Sequence, residues 1–501
     1  MSLVGRNIVA NLVGGALLAM MMLVLTPLQV RLLGMEAFGV IGFIATLQAA
    51  FGAFDLGLAS TLTREIAADV STGKEATRPI VRTALTVYWA SAALIGAGLA
   101  AVAGPMARDW FIVQGLAIGQ LEQAIRVIAL FLALRWPVAV YTGVLVGCQR
   151  METLNLIKVT MLSTRMFGGI ALLLRWPSLE IFLWWTAANA LLEVLAYDLA
   201  CRRTYPGMPT TPGISGAAVR RVWRFSTSMS LLGVLALLIV QFDRLLISKL
   251  MTLDALGSYI LAYTAASAVT LVVAAVSTAV LPSFAATHSR ADADGLRRQY
   301  EKADRVMLFL VTPAAFALAA YGDVLLRLWV GGDAAAGAAL PLALLAAGFW
   351  VSAVIANAYN VAVASGSPGL YLRVNIVAVL PYLGALYLLI ERFGIAGAAA
   401  GWLVLNLSYM AILIPFTHRR MLHISTSRWL GRTIAPFLAL ACVCFVLPLF
   451  AARALGAWQS EPWSLLPLFA GCVLWAAAAY PLGLWHEGKN CLTVAFARVR
   501  R

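Results

Sequence analysis

The chain has 501 residues, 62% hydrophobic and only 12% charged, with 37 Lys and Arg against 22 Asp and Glu. A soluble domain of this length carries about 25% charged residues, so the composition excludes a water-soluble enzyme and points to a chain that lives in lipid. The formal charge of +15 does not indicate nucleic acid, because the basic residues sit in short segments between apolar runs.

Fourteen stretches able to cross a hydrocarbon core of about 30 Å are predicted at roughly 8–30, 38–60, 83–104, 124–147, 154–174, 179–201, 225–248, 257–282, 306–328, 338–363, 370–390, 395–416, 433–452 and 463–485. All are expected to be helices, since lipid offers no partner to an unpaired backbone group. The first is read as a retained span, because Met1–Asn7 runs into it with no small-residue cleavage site after it. Prolines at 27, 137, 313, 341, 381 and 448 mark places for breaks or kinks. With the N-terminus inside, 26 of the 37 basic residues fall on the inner side, 8 on the outer side and 3 within spans. That asymmetry predicts an even number of spans and two cytoplasmic termini. The longest inner connections are 202–224 and 284–305. The second is read as either a short amphipathic surface helix or a solvated linker.

An internal repeat links Arg31-Leu-Leu-Gly-Met-Glu-Ala-Phe-Gly39 to Lys249-Leu-Met-Thr-Leu-Asp-Ala-Leu-Gly257, at an offset of 218. Both segments fall in the outer turn between the first two spans of a six-span block. A same-sense repeat after six spans predicts two bundles related by an axis along the membrane normal.

Charges within spans are the informative residues, because each costs several kcal/mol in lipid, about 2.5–3.5 on insertion scales. Arg135 and Arg165 are predicted near mid-depth of adjacent antiparallel helices. Two readings stand. Either they form a cationic cavity for an anionic substrate, or each is held by a carboxylate or backbone carbonyls, with Glu193 the nearest mid-span partner. Asp243 and Arg244 occupy the outer half of the seventh span. They point about 100° apart, so each needs a partner elsewhere. Arg244 is a third substrate-binding candidate, and Asp243 has either a coupling or an ion-pair role. Asp55, in the inner third of the second span, is either a cation or proton site or a helix-terminal hydrogen-bonding group. Asn357 and Asn360, with Asn375 and Asn406, either line a polar path or bond between helices.

Several chemistries lack their motifs. There is no G-x-x-x-x-G-K-[ST] phosphate loop, no G-x-S-x-G elbow and no metal motif, and no cofactor is expected. The four His (His288, His418, His423, His486) fall in predicted loops or the tail, and no CxxC pair occurs among the six Cys, which are expected to be free thiols.

Five pieces together resemble the Wzx-type flippases of lipid-linked oligosaccharides, within the multidrug/oligosaccharidyl-lipid/polysaccharide exporter superfamily. They are Arg31–Gly39; Asp55-Leu-Gly-Leu-Ala-Ser-Thr-Leu-Thr-Arg64; Gly147-Cys-Gln-Arg150 with Asn155; Asp243-Arg-Leu-Leu-Ile-Ser-Lys249 leading to Leu256-Gly-Ser-Tyr259; and Leu281-Pro-Ser-Phe284. Leu328-Trp-Val-Gly331 extends the likeness, whereas the last four helices match in hydropathy only. The resemblance implies an all-α membrane fold of two pseudo-symmetric six-helix bundles plus two C-terminal helices. The corresponding division is 1–205, a linker at 206–224, 225–420, and 421–501 with a basic tail. It implies a non-enzymatic transporter of the cytoplasmic membrane that moves undecaprenyl-pyrophosphate-linked glycan, as in O-antigen synthesis, by alternating access. Its partners would be that anionic oligosaccharide lipid, membrane lipids, and polymerases or ligases of the same pathway. A lipid II flippase or a cation-coupled drug exporter is the sibling alternative; a membrane glycosyltransferase or polymerase lacks the outer loop or acidic pair it would need.

Overall fold

The computed structural model describes residues 20–53, 58–72, 77–205, 208–209, 211–216, 239–332, 337–367, 369–454 and 465–478. Among these residues every regular element is helical, apart from one isolated bridge between Ile112 and Thr252. Ten helices are long and apolar enough to cross a membrane, which makes this a multi-pass membrane protein. Among the described residues the count falls below the expected fourteen because Gly369–Leu422 covers two of the expected spans and others run into residues that are not described. Met20–Leu33 (α1) and Leu466–Ala478 are shorter apolar helices, and residues 8–19 and 225–238 lie outside the described residues.

The chain forms two compact units, Arg6–Gly257 and Ser258–Arg501. In the first unit α1 is followed by α2 (Met35–Ala53), α3 (Leu58–Thr72), α4 (Arg78–Ala101), α5 (Ile118–Arg135), α6 (Val138–Gly147), α7 (Met151–Arg175), α8 (Leu179–Thr204) and α9 (239–250). The span expected at 124–147 is two helices, α5 and α6. Pro137 removes a backbone donor there, and the break is braced by Trp136. The Trp136 Nε1–H donates to Ser91 Oγ at 2.9 Å, and its ring stacks on Tyr88 with centroids 5.7 Å apart. Around this brace Leu62, Ile66, Val81, Val140, Val144, Leu145 and Tyr197 form the buried core.

Two of the sequence pieces meet in that core. Thr63 Oγ1 donates to the Gly143 carbonyl at 3.2 Å. A Cβ on Gly147 would lie 2.8 Å from the Ile66 side chain, so α3 and α6 approach too closely for any larger residue. At the end of α3 the buried carboxylate of Asp69 accepts from Thr77 N and Thr77 Oγ1, at 2.7 and 2.6 Å, pinning the start of α4.

The repeated segments also meet, each turning to the other the glycine the repeat has in common. A Cβ on Gly39 would fall 2.1 Å from the Leu253 carbonyl oxygen, and one on Gly257 would fall 2.4 Å from the Met35 carbonyl oxygen. At the offset of 218, Leu253 is the counterpart of Met35. The two contacts are therefore equivalent under the repeat. Beside it the Glu36 carboxylate accepts from the N–H groups of Gln114, Gly115 and Leu116 at 2.7, 2.8 and 3.0 Å.

The second unit takes up within Leu253–Ser267 (α10) and continues through α11 (Val269–Ser289), α12 (Ala293–Val330), α13 (Ala339–Ala364), α14 (Gly369–Thr417), α15 (Thr426–Ala454) and α16 (Leu466–Ala478). Residues 284–305 are not a separate loop or linker. Apart from a short turn after Ser289 they are helical, and α12, at 38 residues or ~57 Å, far exceeds a bilayer core. Asp292 caps α12 by accepting from Gly295 N; Leu296, Tyr300, Ala303, Asp304 and Met307 bury one face, while Arg297, Arg298 and Arg305 are exposed on the other. In α14, Gly394 (φ 58°, ψ −140°) separates the spans expected at 370–390 and 395–416.

Candidate functional site

The charged cluster of the first unit is assembled by three helices. Arg135 is the last residue of α5, where the Trp136-Pro137 break leaves carbonyls unpaired and a cation is favoured. Its Nη1 donates to Glu193 Oε2 of α8 at 2.8 Å; the side chains are 24% and 6% exposed. The guanidinium also lies over the Phe131 ring, 5.9 Å from its centroid. Arg165 is 14 residues into the 25-residue α7, ~21 Å from its start and ~15 Å from its end, near the middle of that helix.

Arg165 is held against α8 through its backbone, which accepts a hydrogen bond from Trp185 Nε1 at 3.1 Å. Gly168 and Gly169 allow that approach. A Cβ at 168 would lie 2.3 Å from Trp185 Cζ2, and one at 169 would lie 2.8 Å from Phe182 Cε2. The Arg165 side chain is half-buried and feels the charges of both Arg135 and Glu193. Among the described residues it forms no ion pair and no side-chain hydrogen bond. One turn before Glu193, Asn189 is 1% exposed and its Nδ2 has no hydrogen-bond partner among the described residues. The cluster thus holds two arginines, one carboxylate and an amide donor left over. Its net charge is one positive, within the apolar part of the protein.

Of the two readings of the arginines, each describes one of them. Arg135 is tied to Glu193, whereas Arg165 keeps its guanidinium uncommitted. Arg244 donates to Gln241 Oε1, one turn away on α9, and the Asp243 carboxylate, 3% exposed, accepts from the Arg244 backbone N–H; both residues have further contacts. Asp55 lies outside the described residues.

Asn357 and Asn360 of the second unit are engaged between helices. Asn360 Nδ2 donates to Ser277 Oγ at 2.9 Å, and Asn357 Nδ2 donates to Asp304 Oδ1 at 3.0 Å. Asn406 Nδ2 bonds back to the Trp402 carbonyl. Asp304 is 3% exposed, and its other oxygen accepts from Trp429 Nε1 at 2.9 Å. Beside it Tyr300 OH bonds to His418 Nε2 at 3.0 Å, and His418 Nδ1 to Thr426 Oγ1 at 3.1 Å. This buried network joins α12 and α13 to the start of α15. The sequence reading missed it because Asp304, Tyr300 and His418 fall in stretches it took for inner connections. The available signal was the spacing of Leu296, Tyr300, Ala303, Asp304 and Met307, a helical face inside a charged segment. Among the described residues no group of His, Cys, Asp and Glu could hold a metal ion, and the five described cysteines are free.

Solved structures of transporters share this helical membrane fold. The lipid II flippase MurJ in an inward closed conformation matches 99% of this chain and 100% of its own, at TM-score 0.67 and 10% identity. An inward-facing multidrug resistance transporter of the MATE family, of the MOP superfamily, matches 80% of this chain and 94% of its own, at TM-score 0.65 and 14% identity. The chain belongs to the family described as polysaccharide biosynthesis protein, whose model matches residues 28–333. A Shigella flexneri protein named "Putative O-antigen transporter" is 23% identical over 422 residues, 83% of this chain and 98% of that one.

Proposed function

We propose that this protein is a flippase that carries an undecaprenyl-pyrophosphate-linked oligosaccharide from the inner to the outer leaflet of the cytoplasmic membrane, by alternating access. The observation that carries the reading is the mid-depth cluster of Arg165, Arg135, Glu193 and Asn189, with its one net positive charge. Arg165 binds the pyrophosphate. Its planar fork suits phosphate oxygens and stays charged when partly desolvated, and Asn189 supplies a neutral donor. Arg135, balanced by Glu193, holds the site's shape and lends field. Arg244 acts nearer the outer exit, and Asp243 is an ion-pair or coupling group. Family membership, and the transport role in the Shigella relative's name, support the assignment.

In this reading two six-helix bundles do the work, helices of 421–501 are accessory, and both termini are cytoplasmic. Polymerases or ligases of the same pathway receive the exported lipid. The sibling reading, a cation-coupled drug exporter, is disfavoured because a site for cations needs an excess of carboxylates. Two experiments test the proposal. Cells lacking the chain should accumulate lipid-linked glycan in the inner leaflet, and the purified chain in proteoliposomes should move that lipid across; failure of both would refute it. For orientation, cysteines placed at Ser215 or Ala291 should resist an impermeant reagent added outside.

A further inference from the structure

The second unit holds a cavity of about 970 Å³ that the transport reading does not use. It opens among helix ends: the end of α11, the start of α12, the turn after α13, the start of α14 and residues 416–423. Arg373, Arg420, His288 and His423 line it, and Asp292 is the only carboxylate among its described lining residues. One Asp292 oxygen is already committed to the N–H of Gly295. Neither Arg373 nor Arg420 has an ion pair among the described residues, and the Arg420 guanidinium is parked 6.0 Å from the centre of the Phe416 ring. His288 leans on Ser365, with 3.5 Å between Nδ1 and Oγ.

The backbone around the cavity is specialised. Of the three described non-glycine residues with positive φ, two line it, Ala291 (φ 53°) and His423 (φ 52°), and Gly366 (φ 66°) lines it as well. Left-handed backbone at non-glycine residues is uncommon and collects at functional sites. Here it ends α11 and the segment after α14 abruptly enough to leave a hollow between them. Leu296, Leu370, Phe416 and Met421 make an apolar part of the wall, and Ser367 adds a hydroxyl.

We infer that this groove binds the phosphate headgroup of an anionic lipid. Two arginine forks with no protein counter-ion match phosphate oxygens, and the apolar wall suits the glycerol and the upper acyl chain. Basic pockets among the ends of membrane helices bind such headgroups, and Arg373 sits in the first turns of α14, just after the end of α13, at the ends of segments able to cross a membrane, the level at which headgroups lie. The inference is independent of the Arg165 site. It rests only on the helices crossing the membrane.

The test is thermal melting of the full chain in nanodiscs of phosphatidylcholine, with or without phosphatidylglycerol. Phosphatidylglycerol should raise the melting temperature of the wild type. Arg373→Gln with Arg420→Gln should lose at least half of that gain, and Arg373→Lys, which keeps charge but not the fork, should lose less. Both arginines are exposed and unpaired, so the variants should fold. Arg298→Gln, exposed in the second turn of α12 but not among the residues that line the groove, should keep the gain. An unchanged gain in the double variant, or an equal loss in Arg298→Gln, overturns the site. Inorganic phosphate added to phosphatidylcholine discs should not reproduce the gain. If it does so through the same two arginines, the lipid assignment falls and soluble phosphate is the ligand.

Discussion

The pair formed by Arg135 and Glu193 separates what holds the site together from what binds. Replacing Arg135 by Gln strands Glu193, only 6% exposed, as a buried charge without its partner. With charge centres ~4 Å apart and an effective dielectric of ~20, the attraction is about 4 kcal/mol. Desolvation offsets part of it, and Arg165 is near enough to compensate a little more. A coupling of about 2–3 kcal/mol remains. For a unit of roughly 250 residues each kcal/mol moves the melting temperature by about 2–4 °C, so Arg135→Gln should melt ~5–10 °C below the wild type. Glu193→Gln should cost less, because the amide keeps an oxygen able to accept from Arg135 and the charge left behind is the less buried of the two, 24% against 6% exposed. The double variant Arg135→Gln with Glu193→Gln should be more stable than Arg135→Gln alone, since no charge is stranded. The assay is a four-member melting cycle in one detergent. A double variant no more stable than Arg135→Gln, or an Arg135→Gln that melts with the wild type, would refute the argument that the pair is structural.

Arg165→Gln should leave the melting temperature nearly unchanged, because no protein partner is lost, yet remove most of the glycan export; Arg165→Lys should keep part. Full export by Arg165→Gln would defeat the proposed role. Gly39→Ala should destabilise by about 1–3 kcal/mol, since its Cβ meets the Leu253 carbonyl, whereas Gly119→Ala, with nothing within 4 Å, should not. Melting of the two variants side by side decides it. Asp304→Leu should cost roughly 2–4 kcal/mol by leaving the donors of Asn357 and Trp429 unsatisfied, read as lost melting temperature with normal membrane insertion.

Much of the architecture was legible in the chain itself. Apolar length and the cost of an unpaired backbone in lipid decide that these segments are helices that cross a membrane, with no tertiary information needed. Charges inside such segments announce themselves for the same reason, which is why Arg135, Arg165 and Glu193 stood out. The repeat of Arg31–Gly39 at Lys249–Gly257 was equally visible, because spacing is a property of the chain. The number of full spans was less so. Hydropathy did separate 370–390 from 395–416, where Gly394 divides them, but it read 124–147 as one span where the Trp136-Pro137 break makes two helices.

What each charge does was decided only by the fold. The chain names Glu193 as a candidate partner but cannot say which arginine it takes; the end of α5 delivers Arg135 to it at 2.8 Å, while Trp185 holds α7 with the Arg165 guanidinium left over. Asp304 and His418 looked like connection residues because composition near a helix end reads as water-facing. They are buried because α12 continues beyond the hydrocarbon length and packs its inner face on α13 and α15. Hydropathy measures what a segment tolerates around it, and only packing determines which neighbour it receives.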